Sequence, residues 1–106
     1  MTKYLIKASY NAEGVKGLLK AGGTSRKQAV EDMINALGGK LDCFYYSFGE
    51  HDVYAISSLP DTATAAAIAL TINASGLVSI STTVLIDPEE IDKAKDMSVN
   101  YRTPGS

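Results

Sequence analysis

An α+β fold, with four antiparallel strands and helices packed on one face of the sheet, is what the sequence predicts from three observations. The first is the order of hydrophobic periods, which runs strand, helix, strand, strand, helix, strand. The second is punctuation: Gly22-Gly23, Gly38-Gly39, Pro60-Asp61 and Gly76 fall at the joints between those periods. The third is length. A chain of 106 residues, 45% hydrophobic and 21% charged, is one domain able to bury a modest core.

Tyr4, Ile6, Ala8 and Tyr10 alternate with Lys3, Leu5, Lys7 and Ser9, the period of a strand. Asn11 is placed to cap a short helical piece with Val15, Leu18 and Leu19 on one side, and Gly22-Gly23 breaks it. Ser25 and Gln28 have the spacing of a capping box for the next helix. Its apolar stripe is Ala29, Val30, Met33, Ile34 and Leu37, and Gly38-Gly39 ends it. Residues 41–48 and 52–58 are two β-rich runs around Gly49-Glu50. Asp61 then caps an alanine-rich helix that runs to about residue 75 and is closed by Gly76. Val78, Ile80, Thr82, Val84 and Ile86 mark the fourth strand. Pro88 at a first helical position, with Glu89 and Glu90 behind it, opens a short last helix.

The order β-α-β-β-α-β plus a C-terminal helix is the ferredoxin-like arrangement. The expected division is a single domain over residues 1–97 and a tail over 98–106. Two helices cover one sheet face only. The other face is not plainly polar, since Leu5 and Leu85 lie opposite the core positions of their strands. A second sheet packed on the first would hide that surface, so the expected partner is a second copy, as a homodimer or higher homo-oligomer.

The hairpin carries the residues of interest. A two-residue type II′ turn at Gly49-Glu50 pairs 48 with 51, 47 with 52, 46 with 53, 45 with 54 and 44 with 55. One face then holds Phe44, Tyr46, Phe48, His51, Val53 and Ala55, and the other holds Cys43, Tyr45, Ser47, Asp52, Tyr54 and Ile56. A symmetric four-residue loop keeps this register, whereas a three-residue loop shifts it by one. In the first register Asp52 lies beside Ser47 and next to a Tyr45–Tyr54 pair. Those groups read either as a shallow pocket or as a cross-strand aromatic pair with a turn-capping aspartate.

Composition narrows the function classes. A net charge of −2 argues against a protein built to neutralise phosphates, and the N-terminal lysines lack the interleaved aromatics of a single-strand platform. No nucleic acid or membrane partner is expected. The single cysteine, Cys43, forms no internal disulfide, lacks a neighbouring base and reads as a small core residue. With no signal-peptide pattern, a cytoplasmic location is expected. Glu50, His51 and Asp52 are adjacent, so strand alternation spreads their side chains and no local metal site is expected. The glycine pairs lack the Lys-Ser/Thr of a phosphate loop, and no cofactor is expected.

The stretch GGKLDCFYYSFGEHDVYAISSLPDTATAAAIAL resembles the GYD domain family, small bacterial proteins named for a glycine–tyrosine–aspartate signature at this turn. The opening KYLIKASYNAEGVKGL and the closing STTVLIDPEEID are similar to that family too, so the likeness runs from about residue 3 to residue 95. Here the signature reads Gly49-Glu50-His51-Asp52, with His51 where the name-giving tyrosine would stand. The resemblance implies a dimeric α+β barrel and little about activity. A more distant likeness to the effector-binding domain of Lrp/AsnC-type regulators implies small-molecule binding at subunit interfaces near this hairpin. Two functions are therefore expected as alternatives. One is non-catalytic binding of a small metabolite at a subunit interface by Tyr45, Glu50, His51, Asp52 and Tyr54. The other is a small cofactor-independent enzyme, isomerase or monooxygenase-like, with His51 or Asp52 as base.

Overall fold

A computed structural model describes residues 1–106. The elements are β1 (Thr2–Tyr10), α1 (Ala12–Ala21), α2 (Gly23–Ala36), β2 (Lys40–Tyr46), β3 (Val53–Leu59), α3 (Thr62–Ala74), β4 (Val78–Leu85) and α4 (Pro88–Lys95). The four strands form one sheet in the order β2-β3-β1-β4, antiparallel throughout. This is the expected ferredoxin-like α+β fold. No helix is long and apolar enough to cross a membrane.

Several joints follow directly from local chemistry. Asn11 caps α1 by accepting from the Gly14 amide, and its own backbone N–H donates to the Leu77 carbonyl at 3.0 Å. Its side-chain amide donates to the Gly76 carbonyl, so one residue ties the start of α1 to the turn before β4. Asp61 caps α3 by accepting from the Thr64 amide and hydroxyl. Gly38 and Gly76 end their helices at φ of 81° and 74°, where a side chain would be strained.

The capping box does not form. Gly22, at φ 87°, terminates α1 and starts α2 in one step. Ser25 therefore already lies inside the first turn of α2, and Gln28 donates instead to Asp32 at 2.9 Å.

Helix-facing positions build the core around Tyr4, Ile34, Leu41, Val53 and Leu59. Ile34 and Leu59 are fully buried, each contributing about 1.5–3 kcal/mol of transfer free energy. A bulge between Leu41 and Cys43 turns Asp42 outward, where Ser58 donates to it at 2.6 Å and Lys3 at 3.1 Å. The Ser58 hydroxyl, more than Lys3, holds the Asp42 carboxyl below its ordinary value. Cys43 faces away from the helices opposite Ile56, on the open face, rather than in the core as expected. The bulge sets that orientation, since it lets Leu41 and Phe44 both point inward.

The open face carries Leu5, Ile56, Leu85 and Tyr45 among Lys3, Lys7 and Lys40. Beyond Leu85 the chain leaves the body as an arm, and every residue from Ile86 to Ser106 is exposed. The arm explains a radius of gyration of 17.1 Å, against about 13 Å for a compact chain of this length. On the outer side of β4, Asn73 of α3 accepts from the Ile80 amide at 2.7 Å and donates to its carbonyl at 3.4 Å.

Gly14 and Gly17 give a matched test of how closely α1 packs. A Cβ on Gly14 would collide with the Leu77 carbonyl, whereas one on Gly17 meets only open space. Gly14→Ala is expected to lower unfolding free energy by about 1–3 kcal/mol. Gly17→Ala should be neutral or raise it by up to about 1 kcal/mol through helix propensity. Urea denaturation of both variants checks the contrast, and equal effects would remove the packing argument.

Candidate functional site

The hairpin register is the one that places Phe44 against Ala55, Tyr45 against Tyr54 and Tyr46 against Val53. Its connection is not the tight turn expected at Gly49-Glu50. Gly49 lacks the positive φ that a type II′ turn demands, and the ladder instead closes where Ser47 N–H donates to the Asp52 carbonyl at 2.8 Å. Phe48 to His51 thus form a symmetric four-residue loop. Phe48 is 77% exposed at its tip.

Asp52 is held by β1 on two counts. Its backbone N–H donates to the Ala8 carbonyl at 2.8 Å, and its carboxylate accepts from the Tyr10 N–H at 2.8 Å. The carboxylate therefore extends the β1–β3 ladder past its last residue pair and leaves the turn's own amides alone. His51 lies on the open-face side, where its ring meets Tyr54 edge-to-face at 5.8 Å and its Nδ1 sits 3.3 Å from Ser9 Oγ. It does not join Phe44 and Tyr46, because strand alternation ends where the ladder ends. Glu50 Oε1 is 3.9 Å from His51 Nε2, with its own side chain in solvent. Tyr45 is 68% exposed on the open face. The structure thus groups His51 with Tyr54 and sends Asp52 to the end of β1. No three His, Cys, Asp or Glu side chains come together in a metal-holding group.

A larger feature lies on the opposite side of the sheet. Between the helix-facing side of the strands and α1, α2 and α3 is a cavity of about 550 Å³, lined mainly by hydrophobic side chains. It exists because the central strands present small groups there: Ala8 on β1, Ala55 and Ser57 on β3. Gly14, Gly17 and Ala21 do the same on α1. Ser57 is completely buried, and its Oγ has no hydrogen-bond partner. An unpaired buried hydroxyl costs about 1–3 kcal/mol, and the Tyr4 hydroxyl on the facing strand is buried and unpaired as well.

The polar groups of the wall are few. Tyr10, Glu13, Arg26, Ser57, Thr71 and Ser75 contribute them. Beside the wall, the Tyr46 hydroxyl donates to the Gly23 carbonyl at 3.0 Å, and its ring meets Phe44 edge-to-face at 5.2 Å. Burial raises the Tyr46 phenol above its ordinary value; the Tyr10 phenol adds to the rise, and the Arg26 charge opposes it. Reading the sequence by motif missed this cavity. The signal was the run Val53, Ala55, Ser57, Leu59, which puts a serine among core-facing positions.

The architecture, the Gly49–Asp52 hairpin and the closing Asp-Pro-Glu-Glu helix start agree with a match of the GYD domain family to residues 4–94. This chain belongs to the GYD domain family. The matched GYD span takes in nearly all of β1, every other strand and helices α1 to α3, and it ends inside α4. Neither curated proteins nor solved structures give a match. In this GYD domain Asp52 touches the same strand end whose Tyr10 side chain lines the cavity.

Removing that carboxylate tests its role. Asp52→Ala is expected to cost about 1.5–3 kcal/mol and to speed hydrogen exchange at the Tyr10 amide. Asp52→Asn keeps an acceptor and should lose less. Unchanged exchange at Tyr10 in the alanine variant would show that the carboxylate does not hold β1.

Proposed function

We propose that this GYD domain is a homodimeric, non-catalytic protein that binds a small, largely apolar molecule. The observation that carries the proposal is the cavity of about 550 Å³ with the unpartnered Ser57 hydroxyl in its wall. That volume lies in the range of small-molecule sites, which combine an apolar lining with a few placed polar groups. Of the charged groups on the wall, Glu13 is paired with Lys16 at 3.1 Å. Binding is therefore a better use of this wall than proton transfer.

The hairpin has a supporting part in this reading. Asp52 holds the end of β1, and with it Tyr10, in place beside the cavity mouth. His51, Tyr54, Tyr45 and Glu50 face outward, where a ligand shared between subunits would meet them. The lone unpaired Cys43 accords with work in a reducing compartment such as the cytoplasm.

Two features support a second copy as partner. Leu5, Ile56, Leu85 and Tyr45 give the open face an apolar centre. The arm adds exposed Ile86, Ile91, Met97, Val99 and Tyr101. Its first half also bears Asp87, Glu89, Glu90 and Asp92, opposite in sign to Lys3, Lys7 and Lys40 on the face.

Two measurements test these claims separately. A thermal-shift panel of apolar and amphipathic small molecules should raise the melting temperature for some of them. That shift should shrink in Ala29→Trp, which places bulk at the cavity wall. Uniform silence at millimolar concentration would reject the binding role. Light scattering should give twice the 11.2 kDa chain mass, and Leu5→Asp should move the protein towards monomer. A monomer at every concentration would reject the dimer.

A further inference from the structure

Two polar points on the cavity wall differ in chemistry, and the difference specifies what would fill it. Arg26 stands on its wall in the first turn of α2, partly buried and with no carboxylate in salt-bridge reach. The other charged wall residue, Glu13, is already neutralised by Lys16. The local balance is therefore positive. An arginine in this setting favours a planar oxyanion, above all a carboxylate, which it can bind through two parallel N–H donors.

At the sheet lies the second polar point. Ser57 is 0% exposed, its Oγ unpartnered, between Ala55 and Leu59 on its own strand and opposite Tyr4 and Leu41 on the neighbouring ones. Its hydroxyl both donates and accepts, so it suits a ligand hydroxyl or carbonyl. Most of the remaining wall is aliphatic and aromatic, with Val30, Met33 and Phe44 contributing.

We infer that the cavity takes an organic carboxylic acid with an apolar body, its carboxylate on Arg26 and an oxygen at its far end on Ser57. This assignment rests on the binding role proposed above and gives it a substrate class. A ligand of this kind satisfies the buried hydroxyl and the free guanidinium together, while its body fills space that small side chains leave vacant.

Calorimetric titration with four probes of one shape tests it: 4-phenylbutyrate, 4-phenylbutanol, 4-phenylbutylamine and 4-(4-hydroxyphenyl)butyrate. The acid is expected to bind at least tenfold more tightly than the alcohol, with the amine weakest. The ring hydroxyl should add a further severalfold. Arg26→Gln should erase the preference for acid over alcohol. Ser57→Ala should erase only the gain from the ring hydroxyl, and circular dichroism will confirm that both variants fold. Equal binding of acid, alcohol and amine, or an acid preference that survives Arg26→Gln, would overturn the inference and leave the binding role standing. No binding of any probe overturns it too; if the thermal-shift panel is also silent, the binding role falls with it.

Discussion

The pairing of β3 with β1 is the constraint on which the rest of this molecule depends. It joins the hairpin to the centre of the sheet, and it runs from Thr2 opposite Leu59 to Ala8 opposite Val53. At that end a regular ladder would fray, yet Asp52 adds two more hydrogen bonds, one from its own amide and one to its carboxylate. A charged acceptor on a backbone donor is stronger than the neutral bond it replaces. The strand end is therefore firm where Asn11 must begin α1 and where Tyr10 must stand beside the cavity. Sheet order, helix entry and cavity mouth share one anchor.

The cavity is the counterpart of that rigidity. Central strands of a ferredoxin-like sheet ordinarily present large aliphatic groups to the helices, and Ile6 and Val53 do so here. Ala8, Ala55 and Ser57 do not. With α1 supplying Gly14 and Gly17, the helices rest on the periphery of the sheet and span a hollow. Leaving that volume unfilled forfeits dispersion contacts on every lining atom. A fold can carry such a deficit when its frame is fixed by hydrogen bonds at the rim, as this one is by Asn11 and Asp52.

Much of this was legible from residue order, for reasons that differ by element. The hairpin register could be read because Phe44, Tyr46, Val53 and Ala55 must share the buried face, which a one-residue slip would forbid. Asp61 and Pro88 announced their helices because capping and first-turn preferences act within a few residues. The failures share a different cause. Alternation puts His51 on the side of Phe44 and Tyr46, but His51 sits in a loop that obeys no alternation. Ser25 has the spacing of a cap, but the positive φ of Gly22, which ends one helix and begins the next, overrides it. The cavity is hidden from such reading because emptiness is a sum of volumes contributed by seven elements, and no local motif encodes a sum.

The small clasp between Asn73 and Ile80 carries a consequence for how copies of this chain meet. A bare edge strand is a template on which a foreign strand can zip, the usual route to open-ended stacks and fibrils. On β4 the amide and carbonyl of Ile80 already face the carboxamide of Asn73, so an incoming strand would have to evict a side chain belonging to α3. Strand addition at the β4 edge is thereby discouraged near the start of that strand. The edge is thus guarded by a side chain from a neighbouring helix, with neither charge nor proline needed on the strand itself.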